Sequence, residues 1–245
     1  MYTVLIAIGV GIVSGVIWTL LGLWKTWAMG IVLTIVVGLL TFVLLSRRIA
    51  KRIEPRFQHI HKLIQGGSPQ LALKGLEELL PLARWQVLLK GQLYAQLGSL
   101  CFTIGQEQKA FEYLLKASPR SADGQLFLAS LYSRRKNPEK AREVLEVAIR
   151  YNKKQLILYH VYAWLLARDG DRDAAIEQLL RALKVEKSNE HTKDNLLRLQ
   201  NGKKMNMKKF GMAWYGLQFE KLPAAMRQQQ APIGRKGFRQ RKSRR

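Results

Sequence analysis

Four stretches of the chain share one skeleton of glycine, alanine and leucine. They read Gly67-x4-Ala72-x3-Leu76-x2-Leu79, Gly105-x4-Ala110-x3-Leu114-x2-Ala117, Lys136-x4-Ala141-x3-Leu145-x2-Ala148 and Gly170-x4-Ala175-x3-Leu179-x2-Ala182, the first copy being the weakest. The central alanines are separated by 38, 31 and 34 residues. A step near this length accommodates two helices and a turn, a unit that cannot bury its apolar face alone and must stack on copies of itself.

Upstream of each turn lie Tyr94-x2-Leu97-Gly98-x2-Cys101, Gln125-x2-Leu128-Ala129-x2-Tyr132 and Tyr159-x2-Tyr162-Ala163-x2-Leu166, at a fixed offset from the alanine. A small residue at Gly98, Ala129 or Ala163 lets the first helix approach the second, and Ala110, Ala141 or Ala175 lets the second approach back. Large residues at i, i+3 and i+7 then fill the seam. Over residues 53–200 this resembles the tetratricopeptide repeat family. The chain departs from the family pattern where Tyr94, Gln125 and Tyr159 replace the usual Trp, where Lys136 replaces a turn glycine, and where the closing proline is missing from the last two units. The resemblance implies an all-α solenoid whose first helices form an inner surface that binds a protein or peptide segment. On that surface it places Gln92, Ala95, Ser99 and Phe102, then Asp123, Leu126, Ser130 and Ser133, then Ile157, His160, Trp164 and Ala167. Phe102, Leu126, Ser130, His160 and Trp164 are the expected groove, with Phe102 and Trp164 as aromatic anchors or, alternatively, as packing within the array. The set by which some relatives clamp a terminal carboxylate is not reproduced.

The first 46 residues follow a different rule. Lys25 is the single charge in them, and each uncharged run on either side is long enough, at about 1.5 Å per residue, to cross a hydrocarbon core of about 30 Å as a helix. A removable leader would need a basic start, which is missing before the first run. The expectation is a transmembrane hairpin over 1–46. Arg47, Arg48, Lys51 and Arg52 follow it, so the remainder of the chain is expected on the cytoplasmic side, with both termini there. Trp18, Trp24 and Trp27 near the turn suit the opposite interface, although Trp18 also suits packing between the spans. A basic juxtamembrane segment (47–58), a repeat domain (59–201) of about three clear units and a weak first one, and a C-terminal tail (202–245) complete the layout.

The net charge of +24 is unevenly spread. Residues 202–245 hold 13 Lys or Arg against Glu220 alone, whereas residues 71–201 hold 21 against 15 acids. Phe210, Trp214 and Leu217 fall on one helical face, Phe210, Met212 and Trp214 alternate as in a strand, and Gly211 and Gly216 weaken a helix. Beyond them, Arg235, Lys236, Arg239, Arg241 and Lys242 stand among Pro and Gly with almost no apolar content, which predicts disorder in isolation. Such a tail can meet anionic lipid or RNA, dock on its own repeats, or simply solubilise.

Signals for chemistry are few. The single Cys101 excludes an internal disulfide. His59 and His61 point to different sides of a helix, and His160 and His191 lack a matching ligand spacing. In "DGDRDAAIE", Asp169, Asp171 and Asp173 lack the glycine placement and terminal Glu of a calcium loop, which leaves a turn that caps the following helix. No phosphate loop or hydrolase motif occurs. The sequence therefore predicts a membrane-anchored scaffold in a bacterial inner membrane, with no enzymatic activity, metal or cofactor. The alternative is a nucleic-acid- or ribosome-contacting membrane protein acting through its tail.

Overall fold

A computed structural model describes residues 2–20, 27–85 and 89–223. All regular elements among the described residues are helical. The chain divides into two compact units, Met1–Met205 and Asn206–Arg245.

Helices α1 (Tyr2–Leu20) and α2 (Trp27–Gln65) open the first unit and pack antiparallel. Small residues permit the approach: a Cβ added at Gly11 would lie 2.8 Å from the Thr34 carbonyl oxygen, and one at Gly15 would collide with the Thr34 hydroxyl. Towards the other end, a Cβ at Gly38 would come to 3.4 Å from the Ala7 carbonyl oxygen. An apolar cleft of about 430 Å³ runs beside these contacts, lined by Ala7, Gly11, Gly38 and Phe42 among others. Among the described residues, one helix is long and apolar enough to cross a membrane, beginning at Gly30; α1 offers a shorter apolar stretch, Tyr2–Trp18. Lys25 and Trp24 lie outside the described residues.

Helix α2 does not stop where its apolar run stops. It continues to Gln65 with Pro55 inside it, so residues 47–58 are part of the same helix. Proline removes a backbone donor from a helix interior, and here both Pro55 and Lys51, whose carbonyl loses its partner, are on the exposed side. On the opposite side Ile53 and Ile60 are buried, and Ile49, Phe57 and Leu63 pack against the same core. This half of α2 is the first helix of a pair with α3 (Pro69–Leu79), where a Cβ at Gly75 would lie 3.1 Å from Ile60 Cγ1. A 3-10 turn, Leu82–Trp85, follows.

Three further pairs stack onto this one: α4 (Leu89–Thr103) with α5 (Glu107–Leu115), α6 (Ala122–Arg134) with α7 (Pro138–Tyr151), and α8 (Leu156–Arg168) with α9 (Arg172–Val185), closed by α10 (Glu190–Gln200). Ala110, Ala129, Ala141, Ala163 and Ala175 are all buried. Gly98 is the tightest point, since a Cβ there would collide with Leu114 Cγ and lie 2.6 Å from its Cδ2.

Each first helix ends in the same way. Gly67, Gly105, Lys136 and Gly170 have φ of +74°, +83°, +56° and +94°. At α4 the Gly105 N–H donates to the Phe102 carbonyl (3.1 Å) and the Gln106 N–H to that of Cys101 (2.9 Å), with equivalent bonds at the other three turns. This reversed final turn satisfies carbonyls left open at a helix end. The next residue already caps the second helix: Asn137 accepts from the Lys140 N–H, and Asp171 from that of Ala174. "DGDRDAAIE" is such a turn.

The second unit is described from Asn206 to Pro223. It contains a 3-10 turn (Lys208–Phe210) and a single helical turn, α11 (Met212–Tyr215), after Gly211 at φ +52°. Trp214 is fully buried, with Phe219 at 5.3 Å between ring centres and its indole N–H donating to Glu220 at 3.0 Å. Arg235, Lys236, Arg239, Arg241 and Lys242 lie outside the described residues.

Candidate protein-binding face

The expected groove residues separate into two groups. Phe102, Leu126, Ser130 and His160 are buried, each exposing at most 2% of its surface, so they act in packing and not on an open surface. Gln92 and Asp123 are exposed, and Ser99, Ser133, Ile157, Trp164 and Ala167 are partly so. The cause of the burial is the neighbouring pair. A Cβ at Gly124 of α6 would lie 2.8 Å from that of Ala95 on α4, and the first helices close over one another at this distance. Phe102 then meets Phe127 at 5.1 Å between ring centres.

The accessible part of this face is edged by two arginines at equivalent places in successive repeats, five residues after Ala129 and Ala163. Arg134 lies 4.8 Å over the Phe102 ring and pairs with Glu107. Arg168 lies 5.4 Å over Trp164, donates to the Ser133 hydroxyl at 2.8 Å, and pairs with Asp169 at 3.1 Å. Asp169 also receives Arg142 at 3.1 Å. Arginine over an aromatic ring gains cation–π attraction; with Phe102 buried, Trp164 is the aromatic of the two that stays partly open, beside guanidinium groups engaged by Glu107, Asp169 and Ser133. Sequence reading missed Arg134 and Arg168. The signal available was their recurrence in register with Ala129 and Ala163.

Ion pairs also join the second helices. Arg181 on α9 grips Glu146 on α7 through two bonds of 2.9 Å, and this pairing holds the Glu146 carboxyl below the usual range. Tyr113 on α5 donates to Glu77 on α3 at 2.8 Å. Burial, reinforced by that carboxylate, pushes the phenol up to about 12.

His160 forms a buried polar node with α10. Its Nε2 lies 3.0 Å from the Thr192 hydroxyl, its Nδ1 lies 3.2 Å from the Asn195 amide, and its ring stacks on His191 at 5.0 Å. The Asn195 amide is a donor, so Nδ1 accepts and the proton sits on Nε2. Thr192 in turn donates to Asn189 at 2.9 Å. These partners match the neutral imidazole, and burial, followed by the neighbouring His191, lowers its pKa to about 3. Among the described residues no group of three or more His, Cys, Asp or Glu could hold a metal.

The family model of the tetratricopeptide repeat matches residues 91–118 and 157–189, which are the α4/α5 and α8/α9 pairs with their flanks. These two segments carry the tetratricopeptide repeat. These repeats support a protein-interaction scaffold. Similar solved structures include "Crystal structure of MamA", at 23% identity over 58% of this chain and 84% of that one, and "Crystal structure of MamA protein", at 20% over 76% and 92%. A third, "MamA RS-1 ArsTM double mutant", is 16% identical over 73% and 96%; all three have a TM-score of 0.46. No curated protein matches the chain.

Proposed function

We propose that the chain is a membrane-anchored tetratricopeptide scaffold that recruits or organises protein partners at the cytoplasmic side of a bacterial inner membrane, without enzymatic activity. One observation carries the anchoring. Leu5, Val13, Leu20, Leu39 and Leu44 leave 57–80% of their surface open in a helix pair that continues into the repeats. Water does not tolerate a continuous apolar mantle of that kind, and hydrocarbon does. The apolar window of α2 has a mean hydropathy of 2.2 with 6% of it buried, unlike the core helix of a soluble domain. The side-chain hydroxyl of Thr3 donates to the Trp85 carbonyl at 2.6 Å, which supports placing the N-terminus on the same side as the repeats.

Cysteine labelling in intact cells tests the topology. On a Cys101→Ala background, a cysteine at Ser243 or Tyr2 stays protected from an impermeant reagent until the membrane is opened. Labelling from outside would overturn the assignment. Photocrosslinkers replacing the exposed Gln92 or Asp123 are expected to capture protein. Capture of RNA alone, lost on truncation at Gly234, would instead make the basic tail the working part.

A further inference from the structure

The side of α2 turned away from its buried Ile53 and Ile60 carries Arg47, Arg48, Lys51 and Arg52, with Arg56 at its edge; all five are exposed, and Glu54 is the one acid among them. Arg48, Arg52 and Arg56 follow one another at i, i+4 and i+8, and Arg47 and Lys51 form the adjoining row. Like charges at this spacing repel. In the repeats, by contrast, several arginines are paired with acids: Arg134 with Glu107, Arg142 with Asp169, Arg181 with Glu146. Among the described residues the five α2 cations make no hydrogen bond or ion pair. Among the described residues the fold assembles this charge around a single acid, Glu54, that pairs with none of the five.

Its height along the helix is defined. The cations begin directly after Ser46, and from Arg47 to Arg52 the helix rises about 7.5 Å at about 1.5 Å per residue, comparable with the interfacial layer of a bilayer, about 5–8 Å on each side of the hydrocarbon; Arg56 follows about 6 Å further out. The antiparallel contacts of Gly15 with Gly30 and of Gly38 with Ala7, extended to the start of α1, bring Tyr2 opposite Val43, about 6 Å to the hydrocarbon side of Arg47 at about 1.5 Å per residue. There the Tyr2 ring meets Trp85 at 5.4 Å between centres, the two residues 49% and 39% exposed. Amphipathic rings at that depth suit a membrane–water boundary.

We propose that Arg47, Arg48, Lys51, Arg52 and Arg56 form a binding surface for anionic phospholipid headgroups, with the Tyr2–Trp85 pair seated at the same boundary. The proposal rests on the membrane-anchored reading. Guanidinium groups bind phosphate oxygens in pairs, and a cationic row beside a span attracts the anionic leaflet. Because Trp85 ends the 3-10 turn between α3 and α4, the repeats themselves then touch the bilayer at this turn.

The test uses the full chain reconstituted in phosphatidylcholine vesicles, with trace spin-labelled phosphatidylglycerol or phosphatidylcholine, and reads the fraction of each lipid immobilised at the protein. The native chain is expected to favour phosphatidylglycerol several-fold and to lose the preference in high salt. Replacing the five α2 cations by Gln abolishes it, replacing them by Lys keeps it, and replacing Arg235, Lys236, Arg239, Arg241 and Lys242 by Gln leaves most of it. An unchanged ratio in the α2 Gln variant, with both proteins still resisting an alkaline carbonate wash, overturns the proposal while the anchor stands. If the native chain washes out, the anchored reading fails and takes the proposal with it. If the α2 Gln change removes co-purifying RNA and leaves the lipid ratio intact, the surface belongs to RNA and the proposal falls.

Discussion

The α1/α2 pair and the α4/α5 pair are both antiparallel and are both drawn together by a glycine, Gly15 against Thr34 in one and Gly98 against Leu114 in the other. They differ in where the large apolar side chains go. Around Gly98, Leu93, Leu97 and Leu114 are fully buried, whereas around Gly15, Ile12, Val13 and Val16 leave half or more of their surface open. Close contact between two helices therefore says nothing about the solvent around them, while the direction of the leucines and valines does. The charged residues follow the same division: arginine–carboxylate pairs join the repeats, and α1 has no charge at all.

The largest expected effect separates the two pairs. Gly98→Val drives a branched side chain into Leu114 and should cost ~3 kcal/mol, the upper part of the range for overpacking, read as a loss of hydrogen-exchange protection in α4 and α5. Gly15→Leu should part α1 from α2 and leave that protection unchanged. If Gly15→Leu also loosened α4 and α5, the two pairs would not be independent.

A middle-sized effect comes from His160. Its folded-state pKa of about 3 lies below the ordinary 6.5, so the unfolded chain takes up a proton first as the pH falls. Stability is then intact above about pH 7, is lost progressively from about 6.5 towards 3, and should be lower by about 2 kcal/mol at pH 5 than at pH 8. Exchange protection in α10 reads the loss, and His160→Gln should flatten the dependence.

The smallest effect concerns the turns. Lys136 occupies, at φ +56°, the place that glycine holds in the other turns. A left-handed residue with a Cβ costs roughly 1–2 kcal/mol, and glycine gives part of this back through unfolded-state entropy. Lys136→Gly should therefore raise stability by roughly 0.5–1 kcal/mol, and Gly105→Ala should lower it by a similar amount. A lower melting temperature for Lys136→Gly would show that its side chain contributes more than the backbone strain removes.

The alanines at 110, 141 and 175 were legible because a steric requirement inside one helix pair writes itself at a fixed spacing. The groove was less so. Phe102, Leu126 and Ser130 carry the offsets of an inner face, but the adjacent pair determines how much of that face stays open, and the approach of Gly124 to Ala95 closes most of it. His160 is covered by α10, whose polar Thr192 and Asn195 resemble a solvated end in sequence and become a buried network only against that ring. The continuity of α2 was hidden because the basic run read as a separate juxtamembrane segment, 47–58, while the apolar residues from Ile49 to Leu63 keep the helical period beneath it.

That continuity bears on how the chain acquires its fold. A solenoid must begin somewhere, and starting a helix in water is the slow and unfavourable part. In the proposed topology the bilayer forces residues 30–46 into a helix on insertion, because no other backbone form satisfies its own polar groups there. The same helix needs only to lengthen, turn by turn, to present Ile53 and Ile60 to α3. Delivery to the membrane would thus supply a ready-made template edge, and the repeats would zip outward from it in the order in which they leave the ribosome.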